Sequence, residues 1–287
     1  MHKSGLVLEG GGIRGAYTAG ALSWLMDQGL TLDYGVGVSS GAAYLALYML
    51  GRKDVLYKMA TDYTIRDEIV GLKAFRAEKH YVAYKRLFSH YLKEVEKVDV
   101  TPLRALGSRF EVGVYNLGLG YTEYYNGTAM NEEMDLVRAS CALPIASSVV
   151  EVDGKRFLDG GITKMIPIER AVEVGCDRCL VITTKPKDYI RKPASKILEM
   201  MMKVNYRECP QVAKDYHIRH ENYYKQIQLI RQMEEEGKAL QIYPTRTIQV
   251  SRFKGDAEKC KELFALGYQD MEKRKEEIYA FVGKKND

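Results

Sequence analysis

Before residue 51 the chain repeats one pattern, an apolar run, a glycine-containing turn and an apolar helix, and this repeat limits the fold more than any other feature. Residues 5–9 form a short apolar run broken by Gly10, Gly11 and Gly12, and residues 16–26 then carry apolar side chains at helical spacing. Residues 34–38 repeat the run, Ser39, Ser40 and Gly41 form a tight turn, and residues 42–50 return to the helical period. Short apolar strands alternating with helices predict a parallel sheet covered on both faces. The expected class is α/β, a three-layer α/β/α body with a mostly parallel central sheet.

Further along, residues 110–117 and 120–125 read as paired strands and 131–140 as a helix. Residues 149–152 and 156–158 read as a hairpin about Asp153 and Gly154, with Asp159 at its exit. Pro167 opens a helix, 179–184 is another apolar strand, and the lysine-rich stretch 186–193 breaks the pattern. A boundary there divides the chain into a main domain, 1–188, and a mainly helical extension packed on it, 189–287. The extension carries expected helices at 194–206, 211–237 and 256–282, with candidate strands at 240–243 and 248–250. Residues 52–98, mixed Lys, Arg and Tyr at helical spacing, predict helices over the site or at the sheet edge and show no recognisable chemistry.

The net charge of +5, from 43 basic and 38 acidic residues, is dispersed and contains no basic block of the kind that grips nucleic acid. The N-terminal segment enters a glycine loop too soon for a signal peptide, and no stretch approaches the roughly 18 apolar residues of a membrane span. A cytoplasmic chain is the expectation. Cys176 and Cys179 form a CxxC, but no second pair completes a metal site, so reduced thiols are expected and no metal. In the last helix, Leu263, Leu266, Met271 and Ile278 stand among lysines and suit either core packing, the preferred reading, or peripheral docking at a membrane.

Gly37-Val38-Ser39-Ser40-Gly41 matches GxSxG, a strand-to-helix turn that exposes a serine hydroxyl and needs glycines where side chains would collide. Upstream, Gly10-Gly11-Gly12-Ile13-Arg14-Gly15 offers consecutive unobstructed amides beside a helix start, a loop able to hold an oxyanion. The same six residues fit the dinucleotide fingerprint GxGxxG, with Asp33 as the acidic residue. That reading is disfavoured because Asp33 precedes the second strand instead of ending it. A nucleophilic serine needs a base. His2, His80, His90, His217 and His220 all lack a supporting setting, and surface or packing roles suit them better. Asp159-Gly160-Gly161 puts a carboxylate directly after a strand, with glycines that permit close approach to another backbone; alone, it would read as a plain turn.

In this order, the glycine loop, GxSxG and Asp159-Gly160-Gly161 resemble the patatin-like phospholipase family, and Ala139-Ser140-Cys141-Ala142-Leu143-Pro144 is similar to the family's Ala-Ser-x-x-x-Pro segment. The resemblance covers about residues 5–185. It implies a patatin-like catalytic domain with a Ser39–Asp159 dyad in place of a triad. Ser39 is then the nucleophile, Asp159 the general base, and Gly10, Gly11 and Gly12 the oxyanion hole. Arg14, Gly15, Gly37, Gly41, Gly160 and Gly161 support the motifs, with Arg14 either orienting the loop, attracting a phosphate head group or forming a simple salt bridge. The implied substrate is a lipid or other acyl ester, and no cofactor is needed. A noncatalytic lipid-binding or scaffolding protein of the same fold is the alternative.

Overall fold

A computed structural model describes residues 3–250 and 255–283. Eight strands form one sheet: β1 (Ser4–Leu8), β2 (Tyr34–Val38), β3 (Phe110–Asn116), β4 (Tyr121–Asn126), β5 (Val150–Val152), β6 (Lys155–Asp159), β7 (Arg178–Ile182) and β8 (Ala239–Ile242). Their order is β5-β6-β3-β2-β1-β7-β8, with β4 also paired to β3. Strands β3, β2, β1, β7 and β8 run parallel, and β4 and β6 are antiparallel to β3.

Alternation along β1 sorts the core. Leu6 and Leu8 pack into the larger apolar cluster with the helices Gly15–Asp27 and Ser40–Met49, whereas Val7 joins Ile168, Ala171 and Ile230 on the other face. The helices Ile168–Glu173 and Arg219–Glu235 cover that second face, which completes the expected three-layer α/β/α body.

The chain beyond residue 189 is woven into this body. Strand β8 pairs in parallel with β7, and the helix Ala257–Lys273 lies along Gly15–Asp27. Gly20 and Gly267 mark their closest approach: a Cβ on Gly20 would collide with Phe264 O, and one on Gly267 with Tyr17 O. Trp24 Nε1 donates to Glu272 Oε2 at 2.6 Å across the same contact. Leu263, Leu266, Met271 and Ile278 are buried here, so they are core residues and offer no apolar surface for docking.

Some expected elements differ. The stretch 211–237 is two helices, Gln211–His217 and Arg219–Glu235, broken at Ile218; the last helix is likewise divided at Arg274 into Ala257–Lys273 and Lys275–Val282. Residues 248–250 form no strand; Ile248 and Val250 pack against the larger apolar cluster instead. The 52–98 stretch folds into short helices and one wide-turn helix, Arg86–Val95.

Candidate active site

The motifs converge at the carboxyl ends of β1, β2 and β7, where open α/β sheets place their ligand crevices. Ser39 follows β2 directly and has φ +57° and ψ −132°, a region that L-residues occupy at a cost of order 1–3 kcal/mol. The surroundings enforce it. A Cβ on Gly37 would lie 2.7 Å from Ala42 N, and one on Gly41 2.7 Å from Leu8 O, so only glycine fits on either side of the turn.

Strand β3 brings in the second group. One edge of β3 is taken by β4 along Glu111–Asn116, so β2 and β6 share the other edge in tandem. Strand β2 runs up this edge to pair Val38 with Gly113; β6 comes from the opposite direction to pair Asp159 with Val114. The two carboxyl ends therefore meet, and Ser39 and Asp159, both buried, line one cavity of ≈ 100 Å³. The junction is tied by Ser140. Ser39 N donates to Ser140 Oγ at 2.8 Å, and Ser140 Oγ donates to Gly113 O at 2.7 Å. Asp159 Oδ1 accepts from Gly161 N at 2.7 Å, and Asp159 N donates to Ala142 O at 2.8 Å. A side chain on Gly160 would strike Gly113 O. The hairpin turn that leads to Asp159 has φ +50° at Asp153 and +72° at Gly154, the doubly left-handed form that matches strand twist.

The glycine loop lies against the turn at Ser39 and Ser40. Gly10 N donates to Met165 O at 3.0 Å, and Gly11 N to Ser40 Oγ at 2.9 Å, whereas Gly12 N bonds no group among the described residues. The Gly10 amide is committed elsewhere, and Gly10 instead supplies space, since a Cβ there would lie 2.9 Å from Ser39 Cβ. Gly12 is exposed, with φ +57°. Gly15 opens the following helix against Ser40 and Tyr44. Arg14 lines the cavity, and its Nε is buried without a hydrogen-bond partner among the described residues.

Asp33 sits at the far end of the sheet, accepting from Ser4 N and Ser4 Oγ at 2.8 Å, which removes it from the glycine loop and with it the dinucleotide reading. Of the histidines, His80, His90, His217 and His220 lie away from the cavity lining, and His2 lies outside the described residues.

Several lining residues carried no signal in the sequence. Met59, Ile69, Val82 and Leu87, all from the 52–98 stretch, make an apolar wall. Lys185, three residues beyond β7, is buried against Glu9, whose Oε2 also accepts from Thr184 N at 2.6 Å and Thr184 Oγ1 at 2.9 Å. Burial pushes the Lys185 ammonium down to about 8 despite Glu9 beside it. Arg191 and Arg219 also line the cavity, and Arg219 Nε donates to Gly161 O, directly behind Asp159.

A model of the patatin-like phospholipase family matches residues 6–172, more than half the chain. The chain belongs to the patatin-like phospholipase family. A second model, of a domain family of unknown function (DUF6363), matches residues 209–283. Among curated proteins, the chain is 29% identical to "Uncharacterized protein YjjU" of Escherichia coli (strain K12) over 192 residues, 66% of this chain and 54% of that protein. It is 23% identical to "Probable lipid hydrolase 463L" of Invertebrate iridescent virus 6 over 182 residues, 58% of this chain and 63% of the viral protein. The matches thus span less than two thirds of either relative. Among the described residues, no helix of this patatin-like protein is long and apolar enough to cross a membrane.

Proposed function

We propose that this chain is a serine hydrolase that cleaves acyl ester bonds of lipids through Ser39 and Asp159. The observation that carries the reading is the tandem pairing of β2 and β6 on one edge of β3, with Ser39 strained at the junction. Ser39 Oγ attacks the ester carbonyl carbon while the Asp159 carboxylate takes its proton. The carbonyl oxygen becomes an oxyanion held by Gly12 N, with Gly11 N joining when Ser40 Oγ releases it. Collapse breaks the ester C–O bond, and the proton passes to the leaving alkoxide. Water, deprotonated by Asp159, then cleaves the acyl-enzyme. A cavity of ≈ 100 Å³ is small beside the roughly 300–1,000 Å³ of sites that enclose a whole small ligand, so it takes the reacting ester and leaves the acyl chains to the apolar wall and beyond.

Lipid as acyl donor is supported by family membership and by the viral relative's name. Contact with a bilayer we assign to the helix Lys196–Asn205, where Ile197, Met200, Met201 and Val204 are exposed and Lys192, Lys196 and Lys203 flank them. Apolar side chains bordered by lysines suit an anionic membrane surface. The division at residues 188 and 189 likewise stands as our proposal.

Comparing hydrolysis of a short-chain aryl ester and a phospholipid by the wild type and Asp159→Asn tests the dyad. Loss of both activities with an unchanged circular dichroism spectrum is expected; full activity in the variant would sink the dyad. A folded wild type inert toward both esters would favour the noncatalytic alternative.

A further inference from the structure

Among the described residues, four cationic side chains, Arg14, Lys185, Arg191 and Arg219, line the cavity that holds Ser39 and Asp159. They come from three separate parts of the chain: the glycine loop, the segment after β7, and the start of the helix Arg219–Glu235. Among the described residues two carboxylates oppose them, Asp159 in the lining and Glu9, which is buried and paired to Lys185. Among the described residues, Arg14, Arg191 and Arg219 form no ion pair. Among the described residues positive charge therefore exceeds negative in this lining, where the three arginines are half-buried, and such an excess is costly unless something compensates it.

The compensation within the protein is aromatic. Lys185 Nζ lies 5.3 Å and Arg191 Cζ 5.3 Å from the centre of the buried Tyr223 ring, and Arg219 Cζ lies 5.3 Å from that of Tyr216. Ring faces orient cations at roughly 0.5–2 kcal/mol each and carry no net charge, so the excess remains available to a ligand. Arg191 shows the strain of this crowding: burial first, and then the neighbouring Arg219, push its guanidinium down to about 10. The positive lining continues past Lys185 into a second cavity of ≈ 330 Å³, to which Lys187 and Arg231 contribute and no carboxylate does.

We propose that Lys185, Arg191 and Arg219, with Arg14, form an anion subsite that recognises a phosphate monoester group on the acyl-ester substrate, so that the protein prefers esters with a dianionic head group. A phosphate's oxygens can accept from several guanidinium and ammonium donors at once, and arginine forks match that geometry. A choline-type zwitterion would bring its own cation into an already positive cavity, and a neutral glyceride would leave the cations unpaired. The proposal rests on the hydrolase reading for its substrate, but not for binding of the anion.

Two measurements on the full chain separate these dependencies. In mixed micelles, phosphatidic acid, phosphatidylcholine and diacylglycerol with identical acyl chains are compared as substrates. The wild type should hydrolyse phosphatidic acid with a kcat/KM at least tenfold above the other two. Arg191→Gln should erase most of that preference by raising KM, whereas Lys225→Gln, an equal loss of charge on an exposed residue outside both linings, should keep it. Independently of turnover, inorganic phosphate at millimolar concentration should raise the melting temperature of the wild type and of Lys225→Gln, but not that of Arg191→Gln. A wild type that hydrolyses all three lipids equally overturns the proposal. So does phosphate stabilisation without substrate preference, which would make this a site for free anions. If no ester is hydrolysed, the hydrolase reading fails, and the phosphate melting series still decides whether the anion site exists.

Discussion

Ser39 and Asp159 reach their cavity from opposite directions along a single strand edge, with Val38 paired to Gly113 and Asp159 to Val114. Adjacent residues of β3 thus set the spacing between the two groups, and Ser140 clamps the joint by accepting from Ser39 N and donating to Gly113 O. The separation of the groups is held by backbone pairing and does not depend on a flexible loop.

Removing the clamp tests this positioning. Ser140→Ala leaves Ser39 N and Gly113 O buried without their shared partner, a loss of about 1–3 kcal/mol. If that strain falls on the turn, kcat for an aryl ester should drop about 10- to 100-fold with KM little changed, since each 1.36 kcal/mol is tenfold in rate. Wild-type kcat in a folded variant would show that Ser140 does not position Ser39.

The Gly20–Gly267 contact predicts a stability effect remote from the chemistry. Gly267→Val would force the Tyr17 carbonyl away, and overpacking of this kind costs roughly 1–3 kcal/mol. Thermal melting should fall by several degrees, at about 2–4 °C per kcal/mol in a chain of comparable size. An unchanged melting temperature would mean that the two helices do not approach so closely.

Lys185 gives the anion subsite a pH signature. It stands beside Glu9, Arg191 and Arg14, and burial, the largest influence on it, pushes its ammonium down to about 8. Preference for a phosphate monoester over a neutral ester should therefore decline between pH 7 and 9, although the phosphate, with a second pKa of about 6, is by then fully dianionic. A flat ratio would remove Lys185 from the subsite. Stability moves the other way. The unfolded chain keeps this proton up to the ordinary lysine value of 10.5, so the Lys185 contribution to stability grows between about pH 8 and 10.5.

Membrane contact through the helix Lys196–Asn205 is testable by sedimentation with anionic vesicles. Met200→Gln combined with Val204→Gln removes two exposed apolar side chains without altering charge. Full burial of such a side chain is worth roughly 1.5–3 kcal/mol, so partition should fall at least tenfold. Undiminished binding would exclude this face as the contact.

The sequence carried what is local. The strand–turn–helix repeat announced the parallel sheet, and the glycines beside Ser39 and Asp159 announced close backbone approach, because each signal lies within a few consecutive residues. What was not legible depends on tertiary assembly. Arg219 stands 58 residues beyond Gly161, whose carbonyl it holds, and nothing in its own segment distinguishes it from the surrounding basic residues. The 52–98 stretch hid the apolar wall because Met59, Ile69, Val82 and Leu87 are spread over separate short elements and loops among charged residues and tyrosines. At 248–250 the β-branched residues suggested a strand, but Ile248 and Val250 pack against the larger apolar cluster, a tertiary contact that residue type alone does not reveal. Among the amides of the glycine loop, only the folded contacts distinguish Gly12 N from the Gly10 and Gly11 amides already engaged by Met165 and Ser40.

An activated Ser39 should be labelled by a fluorophosphonate probe. Wild type and Ser39→Ala are treated alongside each other, and the modified residue is located by mass spectrometry. A single adduct on Ser39 is expected in the wild type and none in the variant. An unlabelled but folded wild type, or an adduct that persists in Ser39→Ala, would contradict it.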